Sequence, residues 1–295
     1  MKLSEQKRAL ACAVKAARTV GKLMRANLRE SKRVQSSTQH DIKLELDVRC
    51  QRLIEKSLYS AFPSVAFLGE EGISGNTAAP QRWVVDPIDG TVNFTYGIPH
   101  ACISIALQQR IGDFSLFSSE EERAGERRQS HHGSLHATAV QRSSIYEDGY
   151  QTLVGVVYDP FCNELWTAIR GQPARLNGKI IHVSQRLKLD ECIVSIGFAK
   201  SHESLEATLP YFNGLVHRVR KIRMMGAAAL ALTYVATGRF DAYIERGIRL
   251  WDIAAGGLII ECAGGEFWRK SIPGDYAYRM VASNGLLRRI LRVPN

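Results

Sequence analysis

Two aspartates stand three residues apart in Asp86-Pro87-Ile88-Asp89-Gly90-Thr91, directly after the apolar run Trp83-Val84-Val85. Acids at the end of a buried strand lie where ligands bind in α/β folds. Pro87 fixes the local turn, and Gly90 lets the backbone come close to a ligand. Carboxylates this near to one another repel unless cations sit between them, and hard divalent cations take carboxylate and carbonyl oxygens. Glu70 in Gly69-Glu70-Glu71 is a natural further ligand, at the end of the short strand-like run Val65–Leu68. So is Asp252 in Trp251-Asp252-Ile253-Ala254-Ala255-Gly256, at the mouth of an apolar helical stretch. Taken singly, each acid also reads as a cap or turn residue. As a set they read as a metal site. No G-x-x-x-x-G-K-[ST] phosphate loop or G-x-S-x-G elbow is present.

The elements that must position these acids follow from periodicity. Residues 4–30 carry Leu10, Val14, Ala17, Gly21, Met24 and Leu28 at helical spacing. Residues 31–46 are polar and strand-like, and Asp47–Phe62 reads as a second helix ended by Pro63, with Asp47 as its N-cap. Strands are expected at Cys102–Leu107, Leu153–Tyr158, Glu164–Ile169, Cys192–Gly197 and Asp241–Glu245. Helices are expected at Ser201–Asn213, Gly226–Thr237 and Ile253–Cys262. Mixed order of this kind means a layered α/β or α+β architecture.

The chain of 295 residues has 39 Lys+Arg against 29 Asp+Glu, a formal charge of +10. Such a balance suits nucleic acid, anionic lipid or a phosphorylated substrate. Residues 1–33 alone hold ten basic residues and two acids, Glu5 and Glu30, so most of the excess lies in the N-terminal segment that contains the first helix. That helix reads as a core-facing element with a solvated basic face; a membrane-surface helix or transit peptide fits the same composition. No apolar run approaches the roughly 18 residues of a membrane span. The six cysteines, Cys12, Cys50, Cys102, Cys162, Cys192 and Cys262, are never closer than 30 residues, and no C-x-x-C occurs. They read as reduced, buried thiols of a cytoplasmic protein.

Residues 118–150 differ in texture, with Glu120-Glu121-Glu122, Arg127-Arg128 and His131-His132 and little apolar periodicity. They read as a disordered surface insertion. His132 and His136 have i,i+4 spacing but lie beside Gly133 without cysteine partners, a weak metal signal.

The segments Asp86–Thr91 with Asn93-Phe94, Gly69-Glu70-Glu71 and Trp251–Gly256 resemble, in order and separation, the three hallmark segments of the inositol monophosphatase family. The similarity runs from the first helix to about Asn284, with 118–150 as its main break. The resemblance implies a single α+β domain, a layered αβαβα sandwich of the inositol monophosphatase / fructose-1,6-bisphosphatase type, divided into sub-domains of roughly 1–185 and 186–295. It also implies Mg²⁺-dependent hydrolysis of a phosphomonoester, a small phosphorylated polyol as substrate, and a homodimer. Carried over, Glu70, Asp86 and the carbonyl of Ile88 hold one Mg²⁺, and Asp86, Asp89 and Asp252 a second. A weaker third ion takes Glu70 and waters.

Asp47 resembles the acid that, with Thr91, orients the attacking water, and the N-cap reading of Asp47 is compatible with that role. Amides of Gly90 and Thr91 face the phosphoryl oxygens; Glu245, Ser184 and Asp252 meet the substrate. Asn93-Phe94 in place of Lys-Glu favours an inositol-type over a nucleotidase-type member. One departure is that Gln35-Ser36-Ser37-Thr38-Gln39 lacks the lysine the family often has near the third ion. Histidinol phosphate, fructose 1,6-bisphosphate and nucleotide 3′-phosphates are alternative substrates. A regulatory role through RNA or protein contacts is a further alternative, although no RNA-binding motif accompanies the basic segment.

Overall fold

The computed structural model describes residues 1–37, 42–76, 78–111, 148–198, 202–287 and 290–291. Most of the 118–150 segment, including His132 and His136, lies outside the described residues. Its last residues are described: Asp148 pairs with Arg82 and Arg269 at 3.0 and 3.1 Å, and Tyr150 opens a strand.

Five layers alternate. The first holds α1 (Leu3–Asn27) and α2 (Glu45–Ala61), whose alanine-rich and aliphatic faces pack on one side of a large sheet. That sheet is built from β3 (Ala66–Gly69), β4 (Gly72–Ser74), β5 (Gln81–Asp89), β6 (Cys102–Arg110), β7 (Tyr150–Asp159), β8 (Glu164–Ile169), β9 (Arg175–Leu176) and β10 (Lys179–Ile180). Its order is β10-β9-β8-β7-β6-β5-β3-β4, antiparallel throughout except for the parallel pair β3 and β5. A separate two-stranded ribbon pairs β1 (Val34–Ser37) with β2 (Ile42–Leu44). A short α3 (Thr91–Thr95) follows β5 directly.

The other face of the large sheet is covered by α5 (Ala228–Ala236) and α6 (Leu250–Cys262). Both are apolar all round because they are packed on two sides. Beyond them lies a second sheet of β11 (Ile193–Ile196), β12 (Lys221–Arg223), β13 (Ala242–Arg249), β14 (Glu266–Ser271) and β15 (Ala277–Ser283), in the order β12-β11-β13-β15-β14. The last layer is α4 (His202–Val216), packed against β13. The chain is therefore an α+β sandwich, with one apolar cluster under α1 and α2, one between the sheets and one under α4.

Several expectations shift. The first helix buries Ala9, Ala13, Ala16, Ala17, Val20, Gly21 and Met24, so its core stripe runs beside Leu10 and Val14, which are only half-buried. Small residues let α1 lie close to the sheet, and this close approach selects the stripe. The expected strand at Asp241–Glu245 begins at Ala242 and continues to Arg249. All six cysteines are free, but Cys162 is exposed and Cys12 and Cys262 are half-buried.

Candidate active site

Asp86 and Asp89 face the same side of β5 because the strand is irregular between them. Asp86 pairs with Ser104 and Asp89 with Cys102, so three steps on β5 oppose two on β6. Side chains three apart on a regular strand point to opposite faces; one extra residue brings them together. Pro87 occupies this break, where its missing N–H costs no ladder bond. The Ile88 amide donates to Asp86 Oδ1 at 2.9 Å, and the Thr91 hydroxyl donates to the Ile88 carbonyl at 2.8 Å.

The chain then turns into α3 through Gly90, whose φ of 90° is left-handed. A Cβ there would stand 2.9 Å from the His100 carbonyl oxygen and 3.1 Å from Ala227 Cβ. Only glycine fits both the torsion and the space.

Asp89 is held from the second half of the molecule. Its Oδ1 accepts the Ala228 amide at 3.0 Å and its Oδ2 the Ala229 amide at 2.8 Å, both from the first turn of α5. These are donors that a helix start leaves without intrahelical partners. The Cys102 thiol lies 3.5 Å from Asp89 Oδ2.

Asp252 is the third residue of α6, and its carboxylate accepts the Arg249 amide at 3.0 Å. Asp47 stands in the same place in α2: third in the helix, with Oδ2 accepting the Leu44 amide at 2.8 Å. Asp47 is therefore not the N-cap expected from the sequence, which is Leu44; helix formation begins two residues earlier because the carboxylate satisfies the cap's backbone donor from within.

The carboxylate oxygens of Asp86, Asp89 and Asp252 lie within 4.8 Å of one another. Burial, then the charges of Glu70, Asp89 and Asp252, push the Asp86 carboxyl well above the usual carboxylate range. Asp89 is pushed up to about 7, by burial first and Asp252 second, against the lowering effect of the α5 amides. Glu70 shares a side-chain hydrogen bond with Asp86. Its amide donates to the Val85 carbonyl at 3.1 Å, which ties the β3–β4 turn to the strand carrying Asp86. An all-oxygen cluster of acids that resist ionising together fits a hard divalent cation such as Mg²⁺, whose charge reverses that resistance. Glu70, Asp86, Asp89, Asp252 and the Ile88 carbonyl are the groups that would hold it.

Glu245 on β13 contacts the Tyr243 hydroxyl. Burial first, then Glu245, and next Asp89 and Asp252, raise the Tyr243 hydroxyl well above its ordinary value, so these acids share one neighbourhood. Ser184 is placed elsewhere. Its hydroxyl donates to Asp241, just before β13 begins, and accepts from Asn284 at 3.1 Å. Asp241 precedes β13 and Asp252 follows it in the first turn of α6; the eight residues of the strand between them extend about 26 Å at ~3.3 Å per residue. The structure bonds Ser184 to Asp241 and Asn284 in a half-buried contact and does not bring it to the acid cluster.

The sequence reading missed the Ala228 and Ala229 amides, because alanine carries no side-chain signal. It also missed Gln51, whose i,i+4 spacing from Asp47 was available. Asn93, read in the sequence only as part of a motif, donates to the His100 and Met225 carbonyls at 2.9 and 2.8 Å, joining α3 to the loop that leads into α5.

Fold and site together define a layered α+β sandwich whose acid cluster, with the geometry to hold a metal ion, is assembled at strand and helix ends from both halves of the chain. A family model described as the inositol monophosphatase family matches residues 5–112 and 144–281. The chain belongs to the inositol monophosphatase family. It is 34% identical over 290 residues to an inositol monophosphatase of Mesembryanthemum crystallinum, covering 95% of this chain and 92% of that one. It is 36% identical over 264 residues to the Nus factor SuhB of Xylella fastidiosa, covering 88% and 81%. Among solved structures, the IMPase of Thermotoga maritima superposes with a TM-score of 0.71 at 30% identity, covering 94% of this chain and 92% of that one.

Proposed function

We propose that the chain is a Mg²⁺-dependent phosphomonoesterase that releases phosphate from inositol monophosphate. The observation that carries this reading is the convergence of Asp86, Asp89 and Asp252 within 4.8 Å, the first two buried and Asp252 half-buried. Bound Mg²⁺ would supply positive charge that acidifies a water and stabilises the phosphoryl oxygens. Glu70, Asp86 and the Ile88 carbonyl would hold one ion; Asp86, Asp89 and Asp252 would hold a second; Glu70 is the acid that would be available to a weaker third. Asp47 and the Thr91 hydroxyl orient the attacking water, and Glu70 takes part with them. The Gly90 and Thr91 amides stabilise charge on the phosphoryl group. Glu245, steadied by Tyr243, and Asp252 accept from substrate hydroxyls.

The test is phosphate release from inositol 1-phosphate, fructose 1,6-bisphosphate, histidinol phosphate and a nucleotide 3′-phosphate, with and without Mg²⁺. The largest kcat/KM for inositol 1-phosphate, abolished in Asp89→Asn, is expected. Full activity of that variant overturns the metal assignment.

A homodimer is part of the same reading. Val92, Tyr96, Ile98 and Met224 are exposed apolar side chains on the two segments that Asn93 joins, beside the site. Sedimentation equilibrium tests this. A cytoplasmic location is supported by six free cysteines; among the described residues, no helix is long and apolar enough to cross a membrane.

A second reading rests on the relatives named Nus factor SuhB and on the basic residues exposed along α1, among them Lys7, Lys15, Arg18 and Lys22. It would make the chain a regulatory protein that contacts RNA. A gel shift that weakens steeply with salt supports that reading.

A further inference from the structure

We propose that Gln51 is a positioning residue for the metal-binding edge of the site, acting through the turn that carries Glu70. The inference rests on reading Glu70 as a metal ligand. Glu70 and Glu71 form the two-residue connection between β3 and β4, closed by the pair Gly69 and Gly72. Such a tip holds a ligand in place only if its backbone is tied down.

Two ties are present. From β5, the Val85 carbonyl accepts the Glu70 amide at 3.1 Å. From α2, one side chain binds the tip and the residue that closes it: Gln51 Oε1 accepts the Glu71 amide at 2.9 Å, and Gln51 Nε2 donates to the Gly72 carbonyl at 3.1 Å. A primary amide is suited to this because it offers an acceptor and a donor side by side without charge. Gln51 is 7% exposed, so the exchange happens away from competing water.

Gly69 completes the fit. A Cβ at Gly69 would stand 2.2 Å from Gln51 Oε1 and 2.5 Å from its Cδ, so the amide occupies space that any larger residue would claim. One turn earlier on the same helix stands Asp47, its carboxylate fixed by the Leu44 amide. One face of α2 therefore presents Asp47 and, four residues on, the clasp that sets Glu70 against Asp86. Gln51 itself touches no reacting group, and its effect is on geometry.

The test measures Mn²⁺ binding to the full chain by electron paramagnetic resonance, which needs no substrate. It compares wild type, Gln51→Leu, Gln51→Glu, Glu70→Gln and the double variant Gln51→Leu/Glu70→Gln. Supporting groups around metal ligands change affinity by about 10–100-fold. Gln51→Leu is expected to weaken Mn²⁺ by about tenfold or more. Gln51→Glu keeps the acceptor for the Glu71 amide but loses the donor to the Gly72 carbonyl, and is expected to lose less Mn²⁺ affinity than Gln51→Leu. In the Glu70→Gln background Gln51→Leu is expected to add less than about threefold, because the two act through one ligand.

Wild-type binding by Gln51→Leu, or a full loss that persists without Glu70, overturns the proposal while leaving the function untouched. A wild type that binds no Mn²⁺ overturns both. Should Gln51→Leu not fold, Gly69→Ala displaces the clasp from the other side and must give the same loss.

Discussion

Asp89 Oδ2 accepts the amide of Ala229 at 2.8 Å, a bond between residues 140 apart in sequence. With the neighbouring bond from Ala228 it fixes both oxygens of the carboxylate and leaves their remaining lone pairs for a cation. Ala228 is the first residue of α5, and Ala227 before it is extended at ψ 105°. Proline is tolerated at that position, and the extended residue before it is what proline requires. Ala228→Pro is therefore expected to fold with a Tm within a few degrees of wild type while losing one donor to Asp89. Mn²⁺ affinity should fall about tenfold, in the range of supporting-bond losses. Unchanged affinity in a folded variant would show that the α5 amides do not orient Asp89.

Asp86 is the most heavily opposed acid in the cluster: burial and three neighbouring carboxylates all disfavour its charge. Asp86→Asn keeps an oxygen to accept the Ile88 amide. The variant is expected to raise the Tm of metal-free protein at pH 8, since one of the repelling charges is gone. It should also abolish Mg²⁺-dependent phosphate release. Calorimetry of chelator-treated protein checks the first outcome; a lower Tm would mean that packing, not charge, dominates at this residue.

The acids of the site were legible in the sequence as a set at strand and helix ends beside glycine-rich turns, although each alone also reads as a cap or turn residue. What brings them together was less so. The bulge that turns Asp86 and Asp89 to one face depends on pairing with β6, a partner 13 to 18 residues away. The donors on Asp89 are backbone amides of alanines, which carry no composition signal. Asp47 reads as a cap from local propensity, yet a carboxylate at the third helical position performs the same task from inside the helix. Ser184 matched a motif by residue type, but its partner Asp241 belongs to the far end of β13. A layered architecture followed from element order, and the αβαβα sandwich from family resemblance; of the stripe by which α1 docks, Ala17, Gly21 and Met24 followed from spacing, but Ala9, Ala13 and Ala16 did not, because they give a weaker hydrophobic signal than Leu10 and Val14.

Gly90 links the Asp89 carboxylate to the first amides of α3. Alanine there meets a left-handed φ and a carbonyl oxygen at 2.9 Å. The torsion alone costs about 1–2 kcal/mol, and the contact forces the His100 segment away. Gly90→Ala is expected to lower Tm by several degrees and kcat by more than about 100-fold, a scale set by ångström-level misplacement of reacting groups. Near-normal kcat in steady-state assays would show that the backbone at 90–91 does not face the phosphoryl group.

Glu245 separates substrate recognition from metal binding. It contacts Tyr243 and is not among the three converging acids. Glu245→Gln is expected to raise KM for inositol 1-phosphate about tenfold through loss of a charged hydrogen-bond acceptor, roughly 1.4 kcal/mol. Mn²⁺ affinity should stay within about twofold. A matching loss of Mn²⁺ would place Glu245 among the ligands instead.

The same acids set the pH dependence of the metal-free protein. Asp89 is pushed up to about 7 in the fold, against about 3.9 for an unfolded aspartate. Between these values the folded state binds more protons than the unfolded state, so stability must fall as pH rises through this window. The direction is opposite to that of a carboxylate paired with arginine. A divalent cation removes the cause by holding the ionised form, and its binding releases the protons that remain. Chelator-treated protein is therefore expected to lose Tm between pH 5 and pH 7.5. Saturating Mg²⁺ should raise Tm more at pH 7.5 than at pH 5, and Mg²⁺ affinity measured by calorimetry should increase across the same interval. A Mg²⁺ stabilisation that is equal at both pH values would mean that the cluster is already ionised without the metal, and that mutual repulsion among Asp86, Asp89 and Asp252 does not govern the site.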